Sequence, residues 1–166
     1  PGGYSGVYDL TTNRFTMGRY YTIPQRPDVS ALAASDALAT FSETLEDAVR
    51  LRLRSDVRVG TCLSGGLDSS SVATIASDIY HTESTEAFAA ITAISEDPKS
   101  DESGFAKMVV DKQKLTWLTI KPSYQDFTDN LPAVVRTQEE PFGSPSIVMQ
   151  HFVMRTARAN GITVLL

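Results

Sequence analysis

The chain has little from which to build a disulfide or a zinc site. Its 166 residues include one cysteine, Cys62, and two histidines. A lone cysteine cannot form a disulfide within the chain, and so few histidines leave no spacing typical of zinc ligands. The sequence therefore does not indicate a disulfide-stabilised secreted scaffold, and we expect a reducing compartment, the cytoplasm.

Long apolar runs and an excess of positive charge are also missing. No stretch approaches the roughly 20 apolar residues that a membrane-spanning helix needs. The formal net charge is −5, whereas nucleic-acid-binding domains usually present a basic face. We therefore expect small-molecule partners, and neither a membrane nor a nucleic acid.

Two common nucleotide-binding motifs are absent as well. The sequence contains no G-x-x-x-x-G-K-[ST], the P-loop motif, and no G-x-G-x-x-G after a strand, the dinucleotide-binding motif. A P-loop nucleoside triphosphatase and a dinucleotide-binding Rossmann site are therefore not expected.

The sequence does contain alternating strand-like and helix-like segments. Residues 4–8 and 14–21 flank a turn-prone segment and predict an N-terminal β-hairpin, and residues 25–28 are typical of a linker. Apolar residues spaced three and four apart then predict one face of a long amphipathic helix. These residues are Leu38, Phe41, Leu45, Ala48, Val49 and Leu53.

From residue 57 onward, strands and helices alternate. This pattern predicts an α/β fold, a parallel sheet with helices on both faces. The expected strands are residues 57–63, 87–94, 116–120 and 162–166. The expected helices are residues 68–80, 102–114, 123–139 and 146–159.

Several details of these helices are also predicted. Pro132 has no amide donor, so we expect it to divide helix 123–139 into two parts. Asn160 and Gly161 should end the last helix. The expected inward-facing residues are Val72, Ile75, Ala76 and Ile79 in the first helix after residue 57, and Phe105, Met108 and Val109 in the second.

A glycine-rich loop joins the first of these strands to its helix. Gly65 and Gly66 can take positive φ and let a ligand approach the backbone without meeting a Cβ atom. The free amides at the helix start converge on one point, where the helix dipole adds partial positive charge. Hydroxyls of Ser64, Ser69 and Ser70 add further donors. The loop therefore predicts a cradle for phosphate or pyrophosphate at the carboxyl end of a strand.

Asp68 places a carboxylate beside this phosphate cradle. Its charge would repel a phosphate unless a cation lay between them, and Mg²⁺ favours a few carboxylates together with substrate oxygens. A simpler interpretation makes residues 64–66 a turn and Asp68 the N-cap of the following helix.

Ser-Gly-Gly-x-Asp-Ser at such a turn resembles the PP-loop of the ATP pyrophosphatases. That group has the adenine-nucleotide α-hydrolase-like fold and includes the asparagine, GMP and argininosuccinate synthetases. The flanking segments 55–60, 139–143 and 160–166 are similar to the synthetase domain of glutamine-dependent asparagine synthetases. Residues 1–4 and 19–21 resemble the last strands of that family's glutaminase domain. The resemblance covers nearly the whole chain.

The resemblance implies two domains in a truncated chain. Residues 1–27 would be the tail of the glutaminase-like domain plus a linker, and residues 28–166 the N-terminal part of the ATP-pyrophosphatase domain. The family's second motif, S-G-x-G-x-D-E, carries its catalytic glutamate and a second magnesium aspartate. That motif is expected just after Leu166.

The implied activity is ATP-dependent amide synthesis. The enzyme would transfer AMP to the carboxylate of aspartate, release pyrophosphate, and make asparagine with ammonia from glutamine. Asp68 would be catalytic by binding Mg²⁺, while Leu63 and Ala90 would contact the adenosine of ATP. The implied pyrophosphate ligands are Ser64, Gly65, Gly66, Ser69 and Ser70. The full-length protein could form a homodimer.

Alternatives to asparagine synthesis remain open. The family often has histidine in the third strand, where this chain has Leu-Thr-Trp-Leu around Trp117. That difference is compatible with a β-lactam synthetase or a lasso-peptide cyclase. A tRNA-modifying PP-loop enzyme is disfavoured by the acidic charge and the flanking segments. A nucleotide-binding module without chemistry is a further alternative.

The remaining polar residues have mostly structural interpretations. Cys62 and Trp117 are expected in the core, since both lie in apolar strands. Asp101 and Glu102 are expected to cap a helix. Glu140 is equally compatible with a surface position and with the border of a substrate-carboxylate site.

Overall fold

The computed structural model describes residues 1–166, with all side chains except those of Pro27 and Glu83. The chain forms two compact units, Pro1–Ser42 and Glu43–Leu166. The strands are β1 (Tyr4–Asp9), β2 (Arg14–Arg19), β3 (Val59–Cys62), β4 (Ala89–Ala93), β5 (Thr116–Ile120) and β6 (Val164–Leu165). The helices are α1 (Pro27–Ser30), α2 (Ala34–Leu53), α3 (Leu67–Glu83), α4 (Ser103–Gln113), α5 (Tyr124–Gln138) and α6 (Ser146–Ala159).

The first unit contains the predicted hairpin. Strands β1 and β2 pair antiparallel, and the Asp9 carboxylate accepts the amides of Thr11 and Thr12 at 2.8 and 3.1 Å in the turn between them. The expected linker at residues 25–28 is wrong in its second half, because α1 begins at Pro27. A proline suits the first helical position, since the amide it lacks would have no helical acceptor there.

The second unit is built on a four-stranded sheet. Its strand order is β5-β4-β3-β6, and every neighbouring pair is parallel. The predicted α/β fold is therefore confirmed. The predicted third strand matches β5, whereas β3, β4 and β6 are shorter than expected.

Alternate residues of β4 face opposite sides of the sheet. Ala90 packs in a core with residues of α3 and α4. Ala89 and Ile91 pack instead against Val153 and Ala157 of α6. Helices therefore cover both faces, and a third cluster joins α5 to α6.

Helix α2 buries only part of its predicted apolar face. Val49 is buried and Leu53 packs against the core, whereas Leu38 and Phe41 are exposed. This helix is 20 residues long. Neither it nor another helix in the described part of the chain is long and apolar enough to cross a membrane.

Helix α3 faces the core as predicted, whereas the prediction for α4 is confirmed only for Val109, which packs against the core. Ala106 and Val110 are buried in α4, while Phe105 and Met108 are exposed. The start of α4 lies so close to the backbone of Gly65 that a Cβ atom on Gly65 would collide with it. Sequence spacing alone did not reveal this approach.

Helix α5 is continuous through Pro132, so the predicted division into two parts is wrong. Proline removes one amide donor and so one helical hydrogen bond. The helix is continuous in spite of this loss because its apolar side chains pack against α6. Leu131 and Val134, on either side of the proline, pack in the cluster shared with α6. The helix also begins with a reciprocal capping box between Ser123 and Asp126.

The predicted core position of Cys62 is confirmed. Its side chain is partly buried and packs against the cluster beneath α6. Burial raises the pKa of the Cys62 thiol, which keeps it protonated and therefore a poor nucleophile.

The corrected orientation of α4 can be tested with two truncations. Val110 is 7% exposed and Met108 is 68% exposed. Val110→Ala should lower the free energy of unfolding by about 2 kcal/mol because buried methyl groups are lost. Met108→Ala, although it removes more atoms, should change it by less than about 0.5 kcal/mol. Urea unfolding of both variants measures the difference, and the reverse order would contradict the assigned orientation.

Candidate nucleotide-binding site

The glycine loop leaves the sheet at its carboxyl edge. Strand β3 ends at Cys62 and α3 begins at Leu67, with Gly66 as its N-cap at φ −68° and ψ 162°. Asp68 is therefore the second residue of the helix, and its interpretation as the N-cap is wrong. The helix starts one residue earlier than predicted.

The two glycines have different roles in the loop. Gly65 has φ +96°, and a Cβ atom there would lie 2.5 Å from the carbonyl oxygen of Glu102 and 3.0 Å from the amide nitrogen of Ala106. Gly66 has an ordinary φ, and its nearest neighbour would be Ser64 Oγ at 3.4 Å. Positive φ is thus confirmed for Gly65 and wrong for Gly66.

Two serine hydroxyls hold the loop from within. Ser64 Oγ accepts the amide of Gly66 at 3.2 Å, and Ser69 Oγ accepts the amide of Ser64 at 3.2 Å. The two hydroxyl oxygens lie 2.9 Å apart. The amide of Ser70 is used in the first helical hydrogen bond, to the carbonyl of Gly66 at 3.0 Å. These bonds occupy the amides of Ser64, Gly66 and Ser70.

Four neighbouring amides stay available to a ligand. Within the described residues, no acceptor bonds the amides of Gly65, Leu67, Asp68 and Ser69. They surround the N-terminus of the 17-residue helix α3, where the helix dipole contributes partial positive charge. Such a group of amides can bind an anion.

Asp68 fits a cation between this loop and a phosphate. Its carboxylate is exposed and has no hydrogen-bond or ion-pair partner among the side chains that the structure describes. Over the same residues, no group of three or more histidine, cysteine, aspartate or glutamate side chains could hold a metal. A Mg²⁺ ion at Asp68 would therefore need phosphate and water oxygens, which is its usual coordination.

The two residues expected beside adenosine are buried. Leu63 directly follows β3, while Ala90 is the second residue of β4 rather than its last. Both side chains belong to the core beneath α3 and α4. Their contact with adenosine stays a prediction.

The loop after β4 lies at the same edge of the sheet. Asp101 accepts the amide of Ser103 at 3.0 Å and its hydroxyl at 2.9 Å, so its predicted capping role is confirmed. These hydrogen bonds, helped by the charge of Lys121, hold the pKa of the Asp101 carboxyl below its usual value. Glu102 is the N-cap of α4 but makes no side-chain capping bond, which corrects the prediction.

Glu140 and Pro141 border a separate apolar groove of about 660 Å³. Leu131, Val135 and Phe142 supply most of its apolar lining. A substrate-carboxylate site at Glu140 stays a prediction.

Sequence reasoning missed Thr92 and the polar contact of Trp117. Thr92 Oγ1 donates to the carbonyl of Leu63 at 2.7 Å and accepts from Trp117 Nε1 at 2.9 Å. A polar residue inside the apolar segment Ala-Ala-Ile-Thr-Ala was the available signal.

The sheet and the loop define an α/β protein with four free amides at a helix N-terminus, and comparison with known proteins gives the family. The asparagine synthase family model matches residues 40–166. A Methanocaldococcus jannaschii protein assigned to the glutamine-hydrolysing asparagine synthetases is 29% identical over 160 residues, which are 96% of this chain and 30% of that protein. Asparagine synthetase [glutamine-hydrolyzing] 1 of Bacillus subtilis is 27% identical over 95% of this chain and 23% of its own length. The chain belongs to the asparagine synthase family.

A solved structure supports the same fold. The glutamine-dependent NAD⁺ synthetase of Acinetobacter baumannii, determined with ADP, superposes with a TM-score of 0.52 at 16% identity. The match covers 96% of this chain and 29% of that protein. The chain thus spans less than a third of the length of each of these three proteins.

The different roles of the two glycines generate a paired prediction. Gly65→Ala should lower the free energy of unfolding by roughly 1–3 kcal/mol, because it forces a side chain into positive φ and against Glu102. Gly66→Ala should change it by less than about 1 kcal/mol, since its backbone is ordinary. Chemical denaturation measures both values. Equal effects would contradict the close approach of α4 to Gly65.

Proposed function

We propose that this chain is the ATP-binding part of a ligase that makes asparagine from aspartate. ATP supplies the driving force and glutamine supplies ammonia, with AMP and pyrophosphate as products. The observation that carries the proposal is the set of free amides on Gly65, Leu67, Asp68 and Ser69 at the start of α3. An anion bound there would gain hydrogen bonds without breaking protein ones.

The proposed reaction has two steps. An aspartate carboxylate oxygen attacks the α-phosphorus of ATP, the bond to the pyrophosphate oxygen breaks, and an aspartyl-adenylate forms. Ammonia then attacks the acyl carbon, AMP leaves with the carboxylate oxygen, and the new amide loses a proton. The loop amides, together with the hydroxyls of Ser64, Ser69 and Ser70, would stabilise negative charge that builds up on the leaving pyrophosphate.

Asp68 is the proposed magnesium ligand. Its exposed carboxylate lies in the first turn of α3 and is free of protein partners among the described side chains. Bound Mg²⁺ would supply positive charge that offsets the phosphates. Leu63 and Ala90 are the proposed neighbours of adenosine.

The relatives support the proposed use of ATP and glutamine. Both curated relatives are named as glutamine-hydrolysing synthetases, and the NAD⁺ synthetase was determined with ADP. We propose that residues 1–27 belong to a glutaminase-like domain with a linker, and residues 28–166 to the synthetase domain. The family match begins at residue 40 and the compact units divide at Ser42, both within α2.

The composition suggests a cellular compartment and a class of partner. The partly buried thiol of Cys62 is compatible with a reducing compartment, and we propose the cytoplasm. The net charge of −5 favours small-molecule partners over nucleic acids. A homodimer of the full-length protein is proposed from the family resemblance alone.

Two alternatives each have a specific observation in their favour. Trp117 in β5, where the family often has histidine, is compatible with a related amide synthetase that acts on another acyl group. The described residues contain no group of three or more histidine, cysteine, aspartate or glutamate side chains that could hold a metal, which is compatible with a non-catalytic ATP-binding module. Asparagine synthesis remains our proposal because the family and the curated relatives favour it.

Removal of the Asp68 carboxylate tests the metal assignment. In the full-length enzyme, Asp68→Ala should reduce ATP–pyrophosphate exchange at least about a hundred-fold, because the phosphates lose their bridging cation. Glutamine hydrolysis in the other domain should persist.

Asp78→Ala is the matched control, since it removes an exposed carboxylate from the same helix, ten residues further along. Its exchange rate should equal that of the unaltered enzyme. Persisting exchange in Asp68→Ala would refute the assignment of Asp68 as the metal ligand.

The 166-residue chain alone provides another test. It should bind magnesium-ATP weakly and make no asparagine, because its sequence does not contain the S-G-x-G-x-D-E motif that the resemblance associates with the catalytic glutamate. Calorimetry with magnesium-ATP and an assay for labelled asparagine measure the two activities. Substantial synthesis by this chain would mean that its own residues suffice.

A further inference from the structure

A chain of buried hydrogen bonds crosses three strands and ends at the glycine loop. Trp117 Nε1 in β5 donates to Thr92 Oγ1 in β4 at 2.9 Å, and Thr92 Oγ1 donates to the carbonyl oxygen of Leu63 at 2.7 Å. The hydroxyl has a single proton, so the bond from Trp117 directs that proton toward Leu63. Thr92 and Leu63 are each 1% exposed, and water therefore does not compete for the bond between them.

Leu63 is where the backbone ladder between β3 and β4 stops. Its amide still donates to the carbonyl of Ile91 at 2.9 Å. Its carbonyl, by contrast, receives no backbone amide from the residues described in the structure, and Thr92 Oγ1 is the donor there. The threonine hydroxyl thus replaces the last rung of the ladder.

The peptide plane between Leu63 and Ser64 is therefore held on both sides. Thr92 holds its carbonyl oxygen, and Ser69 Oγ accepts its N–H at 3.2 Å. Rotation of this plane would break both bonds and turn the backbone at Gly65 away from its present direction. The free amides can converge on one anion only while this plane keeps its orientation.

We propose that Thr92 and Trp117 are positioning residues for the anion-binding loop. They act through the carbonyl of Leu63 and do not themselves contact the ligand. The inference rests on the proposed function, because it assigns a purpose to the loop's orientation. It also gives a role to the third-strand tryptophan, which the proposed reaction leaves unused.

A purely structural role for these residues makes a different prediction. Valine fills the same volume as threonine, and phenylalanine retains most of the apolar ring at position 117. If Thr92 and Trp117 only fill the core, Thr92→Val and Trp117→Phe should change stability without a specific change in ligand affinity. Thr61→Val is the matched control, because Thr61 is another fully buried threonine whose hydroxyl does not contact Leu63.

The experiment is calorimetric titration of the 166-residue chain and its variants with magnesium-ATP and with magnesium pyrophosphate. Thr92→Val and Trp117→Phe should each weaken binding about three- to ten-fold, since the first removes both hydrogen bonds of Thr92 Oγ1 and the second removes the bond that orients this hydroxyl. Thr92→Ser retains the hydroxyl and should stay within about two-fold of the unaltered chain, as should Thr61→Val. The double variant Thr92→Val/Trp117→Phe should bind about as weakly as Thr92→Val alone, because both changes interrupt one chain of bonds.

Amide hydrogen exchange separates this inference from the proposed function. Without ligand, the Ser64 amide should exchange faster in Thr92→Val than in Thr92→Ser or Thr61→Val. If the unaltered chain binds neither ligand, the proposed function fails, and exchange at Ser64 still decides whether Thr92 holds the loop. Unchanged exchange at Ser64 in Thr92→Val, or equal loss of affinity in Thr92→Val and Thr61→Val, would overturn the inference.

Discussion

The site depends on the close contact between the backbone of Gly65 and the start of α4. A side chain at Gly65 would lie 2.5 Å from the carbonyl of Glu102, so the approach requires glycine. Ala106, whose amide nitrogen would lie 3.0 Å from that side chain, is completely buried. With Gly65 in this position, the chain enters α3 with its first amides directed away from protein acceptors.

The sheet and several hydroxyl groups of the second unit hold that turn in position. The parallel sheet delivers the loop to its carboxyl edge, where ligands of open α/β folds bind. Three hydroxyls hold the loop in place. Those of Ser64 and Ser69 bond to each other, and that of Thr92 in β4 bonds to the carbonyl of Leu63. Within the described residues, no buried side-chain nitrogen or oxygen lacks a hydrogen-bond partner. Four backbone amides of the turn lack a protein acceptor within these residues, and an anion can reach them.

The sequence predicted the order of strands and helices well, because period and turn chemistry are local properties. The hairpin, β5 and the end of α6 at Asn160 match the predictions closely. The predictions were wrong where contacts between distant residues determine which side chains are buried or whether a helix continues. Phe105 and Met108 lie outside the core because α4 packs through Ala106, and Pro132 stays inside one helix because α5 packs on α6. The bond from Thr92 to Leu63 joins residues 29 positions apart, and no local pattern encodes it.

The central claim is that the free amides at the start of α3 bind pyrophosphate. The most direct measurement is an NMR titration of the isotope-labelled chain with magnesium pyrophosphate, followed through the amide resonances. We expect saturable shifts that are largest at Gly65, Leu67, Asp68 and Ser69. Shifts confined to basic side chains elsewhere, with these four amides unchanged, would contradict it.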